Sequence, residues 1–130
     1  MSEGAYVLDA SALLCVMLGE PGADAIEALM PEALIGAVNL SEVVAKLQEQ
    51  GVPDSLIDES LDDLGLTVIP FDADLAMRAG KLRAMTRRSG LSLGDRACLA
   101  LAMTTGATAL TTDRAWAGLS LDVGVQVVRG

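Results

Sequence analysis

Two rhythms of apolar residues alternate along the chain. Runs with little polar interruption at residues 5–8, 33–38, 66–71, 107–111 and 123–128 have the length and continuity of buried strands. Between them apolar positions return at helical spacing, as with Leu75, Ala76, Ala79, Leu82 and Met85, and the pattern predicts helices over 11–18, 22–30, 39–50, 53–64, 73–88 and 93–103. Their stops are Gly19 with Pro21, Gly51, Gly65, Ser89-Gly90 and Gly106, while Pro53 suits the first position of the fourth helix. Helix 93–103 is apolar almost all round (Ala97, Cys98, Leu99, Ala100, Leu101, Ala102) and is expected to be enclosed by other elements. A short helix is expected after Asp113. Alternating strands and helices predict an α/β fold on a mostly parallel sheet, with the strands' carboxyl ends along one edge. The pattern does not order the strands.

The 130 residues suit one domain spanning 1–130, and a content of 52% apolar and 21% charged residues excludes a disordered chain. There is no histidine, which removes histidine-based triads, His-ligated zinc and imidazole acid–base catalysis. Cys15 and Cys98 lie in apolar helical runs and read as buried thiols of a reducing cytosol, their spacing leaving a disulfide between them open. Neither has a histidine to activate it as a nucleophile. Residues 10–18 follow Glu3 and Asp9 rather than Lys or Arg, so they do not read as a signal peptide, and no run is long enough to span a membrane. A soluble, cytoplasmic protein is expected.

The net charge of −9 is unevenly spread. Residues 1–74 hold fifteen of the eighteen acids and a single base, Lys46, whereas Arg78, Lys81, Arg83, Arg87, Arg88 and Arg96 cluster near one acid, Asp95. That segment is either a solvated helix face or a contact for phosphates or an acidic partner.

Four acids occupy comparable places: Asp9 after the first strand, Glu42 in the first turn after the second, Asp95 opening the apolar helix, and Asp113 after the fourth strand. Each has a purely structural explanation. Asn39 with Glu42 and Ser92 with Asp95 have capping-box spacing, and Asp9 and Asp113 can cap or precede helices. Taken together they converge on one sheet edge. Two carboxylates about 5 Å apart repel by roughly 3 kcal/mol at an effective dielectric near 20. Four in one pocket require raised pKa values or a divalent cation. An all-oxygen set favours Mg²⁺ or Mn²⁺, which suit hydrolysis of a phosphodiester.

Leu8-Asp9-Ala10-Ser11, Ser41-Glu42, Gly94-Asp95-Arg96-Ala97 and Thr111-Thr112-Asp113, in this order over nearly the whole chain, resemble the PIN-domain nucleases, and within them the VapC-type toxins of toxin–antitoxin pairs. The resemblance implies a three-layer α/β/α sandwich and a Mg²⁺- or Mn²⁺-dependent endoribonuclease, homodimeric and neutralised by a cognate antitoxin. By position, Asp9, Glu42, Asp95 and Asp113 match the family's acidic quartet. Asp9 and Asp95 would be direct metal ligands, Asp113 would complete the site directly or through water, and Glu42 would bind a second cation or orient the attacking water. Ser11 and Thr112, with Ser41 as a weaker match, would donate to the carboxylates and hold their rotamers. Arg87, Arg88 and Arg96 are weaker candidates for contact with RNA or antitoxin, since the −9 charge and the three aromatics (Tyr6, Phe71, Trp116) leave substrate grip to the metals and this basic segment. Trp116 is expected as a lid on the sheet edge or an interface residue. The alternatives are a catalytically silent PIN-like binding module and a Mg²⁺-binding phosphoacceptor or phosphatase domain. Against the latter, receiver-type domains expect adjacent acids after the first strand, and dehalogenase-like phosphatases expect an aspartate where Ser11 stands.

Overall fold

In the computed structural model, which describes residues 4–128, the five apolar runs form five short strands: β1 (Tyr6–Leu8), β2 (Ala33–Gly36), β3 (Thr67–Ile69), β4 (Thr108–Thr111) and β5 (Gly124–Val127). Glu3 and the outermost residues of the expected 1–130 domain lie outside the described residues. Every strand pairing is parallel, in the order β3-β2-β1-β4-β5. The chain therefore winds from β1 to one side and returns to β1's other side with β4. In open α/β sheets such a reversal leaves a crevice beyond the strands' carboxyl ends.

The helices are α1 (Ala10–Met17), α2 (Ala23–Leu29), α3 (Ala37–Glu49), α4 (Asp54–Leu64), α5 (Ala73–Thr86) and α6 (Leu93–Thr105). Alternation along the strands sorts them into two layers. Val7, Leu34 and Ala109 face α5 and α6, packing on Leu75, Ala79, Leu82 and the buried run Ala97–Ala102. Leu8, Ile35 and Leu110 face the other way, onto Leu13 of α1, Ile26 of α2, Val43 and Leu47 of α3 and Ile57 of α4. The result is a three-layer sandwich, and α6 is enclosed as its composition requires. It ends at Gly106, whose φ of 71° closes the helix in the left-handed region.

Several expectations change. The apolar run 33–38 is strand only to Gly36; Ala37 and Val38 already belong to α3, because Gly36 is itself the extended N-cap and no loop separates the elements. Glu42 thus lies beyond the first turn, and Asn39 is the third helical residue rather than a cap. Pro53 is the N-cap of α4, one place before the expected position. Trp116 is neither a lid nor an exposed interface residue. It is 1% exposed and sits in the core layer with α6, because the 3-10 turn Arg114–Gly118 folds its one large ring back onto the sheet. The thiols are free and buried, and they lie in opposite layers with the sheet between them, so no disulfide joins them. Among the described residues no helix is long and apolar enough to cross a membrane.

Candidate active site

Asp9 directly follows β1, at the reversal between β1 and β4. It is the N-cap of α1, yet its side chain does not cap the helix. Its Oδ2 accepts hydrogen bonds from Ser11 Oγ at 2.7 Å and Thr111 Oγ1 at 2.9 Å. The register explains the second partner: β1 and β4 pair Leu8 with Leu110, so the next residues, Asp9 and Thr111, stand side by side. The two hydroxyls lie 3.2 Å apart and also hold the loop after β4, Ser11 Oγ accepting from Thr112 N and Thr111 Oγ1 from Asp113 N, each at 3.1 Å. Asp9 is 5% exposed, Thr111 fully buried.

Glu42 projects from α3 toward the start of α6. Asn39, also fully buried, donates from Nδ2 to Glu42 Oε1 and to the Gly94 carbonyl oxygen, both at 3.0 Å. The Glu42 carboxylate lies so close over Gly94 that any side chain there would overlap it. One residue on, Asp95 forms the capping box of α6: its Oδ2 accepts from Ser92 N at 3.0 Å, and its own N–H donates to Ser92 Oγ at 3.2 Å. Asp113 is exposed and caps the turn that follows, Oδ1 accepting from Ala115 N at 3.0 Å.

Electrostatics ties three of these acids together. Burial pushes the Asp9 carboxyl above its ordinary range, against the pull of the Ser11 and Thr111 hydrogen bonds, and the Asp95 charge pushes the same way. Glu42 is raised first by burial and then by Asp9, with Asn39 opposing, Asp95 adding and Lys46 easing. Beneath them Cys98 is driven well above a normal thiol by burial and by Asp9, Asp95 and Glu42 together, which leaves it inert as a nucleophile. Three carboxylates from three elements thus bear on one another, and Lys46 eases the charge on Glu42.

Asp9, Glu42 and Asp95 are therefore brought together. Asp113 is joined to them through its backbone bond to Thr111, while its carboxylate is not among the charges that act on Asp9 or Glu42. Among the described residues no three or more Asp, Glu or Cys side chains stand close enough to enclose an ion on their own. A hard cation that retains several waters needs only one or two carboxylates directly. The donor set, all oxygen and short of positive charge, fits Mg²⁺ or Mn²⁺.

Thr111 joins the hydroxyl positions. Ser11 donates to Asp9 as expected, the other hydroxyl that donates to Asp9 is that of Thr111, and Thr112 donates its backbone N–H to Ser11. As the last residue of β4, Thr111 turns toward the crevice; the signal that identifies it is the β1–β4 register. Ser41 is exposed on α3 and is not bonded to any of the carboxylates. Arg87 and Arg88 are exposed in a 3-10 turn, Arg87–Ser89, after α5. Arg96 leaves the basic cluster, since its Nη1 donates to the Ala79 carbonyl at 3.0 Å and fastens α6 to α5.

A family model described as PIN domain matches residues 6–120. A VapC ribonuclease of Mycobacterium bovis and the ribonuclease VapC42 of Mycobacterium tuberculosis are each 36% identical, the match covering 77% of this chain and 84% of the relative. The fold is shared with a chain of a toxin–antitoxin complex from Klebsiella pneumoniae at TM-score 0.72 and 24% identity, over 93% of this chain and 95% of the other.

Proposed function

We propose a function from one premise: the chain belongs to the PIN-domain family. It is a ribonuclease of the VapC type, the toxin of a type II toxin–antitoxin pair. It works as a single-domain homodimer in the cytoplasm, cuts RNA with Mg²⁺ or Mn²⁺, and is silenced by its cognate antitoxin. The observation that carries the site is the seating of Asp9 by Ser11 and Thr111 and of Glu42 by Asn39 over Gly94, next to Asp95, where burial and like charge raise the Asp9 and Glu42 carboxyls.

Asp9 and Asp95 would hold the cation, with Asp113 completing the set directly or through water and Glu42 binding a second cation or orienting the attacking water. When bound, the cation would generate the hydroxide nucleophile and offset charge building up on the phosphodiester. Ser11 and Thr111 lock Asp9 in one rotamer, so its carboxylate is aimed before substrate arrives. The capping box does the same for Asp95, leaving Oδ1 free of that box. Glu42, desolvated and repelled, is a strong hydrogen-bond acceptor for water.

The deciding experiment incubates purified protein with several RNAs and Mn²⁺ or Mg²⁺, with and without EDTA, beside Asp9→Asn and Asp95→Asn. Cleavage by the wild type alone, and only with metal, is expected. Both variants remaining active would assign the cutting to a contaminant, and no cleavage by any form would leave the silent binding module.

Arg87 and Arg88 are exposed, as are Lys81 and Arg83 on α5, and are open to a phosphate backbone or an acidic antitoxin surface. Reversing the Arg87 and Arg88 charges to glutamate is expected to weaken RNA cleavage or antitoxin binding about tenfold at low salt, with an unchanged melting curve. The same rates and the same antitoxin affinity as wild type would remove these residues from both roles.

A further inference from the structure

Asn39 is the buried polar group with the most unusual surroundings in this crevice. An amide has two N–H protons, and both are committed: one to Glu42 Oε1, the other across to α6 at the Gly94 carbonyl. Its Oδ1, by contrast, is buried without a hydrogen bond, 3.4 Å from where a Cβ on Gly36 would stand. Turning the amide over would point Oδ1 at two acceptors, so the orientation is dictated by Glu42 and Gly94. Leaving a buried carbonyl oxygen unbonded is costly, and a leucine of similar size would avoid that cost. An asparagine held in this way is there for what Nδ2 grips.

What it grips is the geometry between two helices. Glu42 belongs to α3 and Asp95 to α6, and Asn39 links them by bonding both Glu42 and the backbone at Gly94, one residue before Asp95. Gly94 contributes by having no side chain: even a methyl group there would overlap the Glu42 carboxylate and force it to move out of its present seat. Donor and vacant Cβ position thus act on one carboxylate from two sides.

We propose that Asn39 and Gly94 are positioning residues that seat the Glu42 carboxylate beside Asp95, so that α3 and α6 present their acids to one cation environment. This rests on the metal-dependent nuclease reading above and adds two residues to it. Glu42 freed from Asn39 samples other rotamers, and an acid that is not held in place binds a hydrated cation less well.

The test measures Mn²⁺ binding by the electron paramagnetic resonance of free Mn²⁺, alongside cleavage, for wild type, Asn39→Leu, Gly94→Ala, Glu42→Gln and the pairs. Asn39→Leu and Gly94→Ala are each expected to weaken Mn²⁺ about tenfold and to slow cleavage about 10–100-fold, with cooperative melting retained. In the Glu42→Gln background neither should cause a further loss, because both act through that carboxylate. Wild-type Mn²⁺ affinity in both single variants would overturn the inference, as would an equal loss with Glu42 already removed. Should Asn39→Leu fail to fold, Gly94→Ala alone decides, since it keeps the asparagine. A wild type that neither binds Mn²⁺ nor cleaves RNA would instead defeat the nuclease reading, a result distinguishable from either.

Discussion

Asp9→Asn is expected to abolish RNA cleavage, by about 10³-fold or more, and at the same time to raise the melting temperature of the metal-free protein. The first effect follows from removing the charge at the centre of the hydroxyl-held cluster; a thousandfold loss corresponds to about 4 kcal/mol of transition-state stabilisation. The second follows from the direction of the pKa shift. The Asp9 carboxyl is raised in the fold, chiefly by burial, so the folded state prefers the neutral acid. The associated stability is fully present below the ordinary carboxyl range and is lost as the pH rises through the folded-state value. At neutral pH the ionised group therefore destabilises, and asparagine, isosteric and neutral, relieves it while still accepting from Ser11 and Thr111. A gain of about 1 kcal/mol, or about 4 °C for a domain of this size, is expected in EDTA at pH 7. It should shrink toward zero as the pH is lowered through the carboxyl range. Thermal melts across pH with paired cleavage assays check both halves, and a variant both inactive and less stable at pH 7 would contradict the electrostatic account.

Asp95→Asn should cause a comparable loss of cleavage, about 10²–10³-fold, with the opposite consequence for stability. Asp95 is half-exposed and is the acid of the α6 capping box, so the repulsion relieved by neutralising it is screened by water. The favourable interaction of its charge with the helix start is lost, at about 0.5 kcal/mol. The protein should melt at or slightly below the wild type. A marked rise in melting temperature would show that Asp95 is held against the other acids more tightly than its cap suggests. The two aspartates share a function but stand in different mechanical circumstances, and the paired melts separate them.

Much of this site was legible before any coordinates. Asp9 and Asp95 stand at element boundaries that apolar periodicity and glycine stops mark plainly, and the continuous apolar strands demand a parallel sheet with its edge loops together. The order of the strands was the missing quantity. Thr111 and Thr112 are chemically identical neighbours, and only the pairing of β1 with β4 decides which hydroxyl meets Asp9. Asn39 and Glu42 have capping-box spacing, but the helix starts at Ala37, so a local reading gave way to a contact 55 residues away in sequence. The Ser92–Asp95 box survived because both partners are local to one helix terminus. The tie of Arg96 to α5 was hidden for the same reason: nothing near Arg96 in sequence announces its bond to the Ala79 carbonyl.

The inward fold of the Arg114–Gly118 turn leaves the molecule with a single indole, sealed from water, three residues downstream of Asp113. Its fluorescence is consequently a label-free gauge whose source is known to one residue. Emission changes on adding ions, nucleotides or a protein partner can be ascribed to the turn leaving β4, with no competing tryptophan elsewhere in the chain to disentangle.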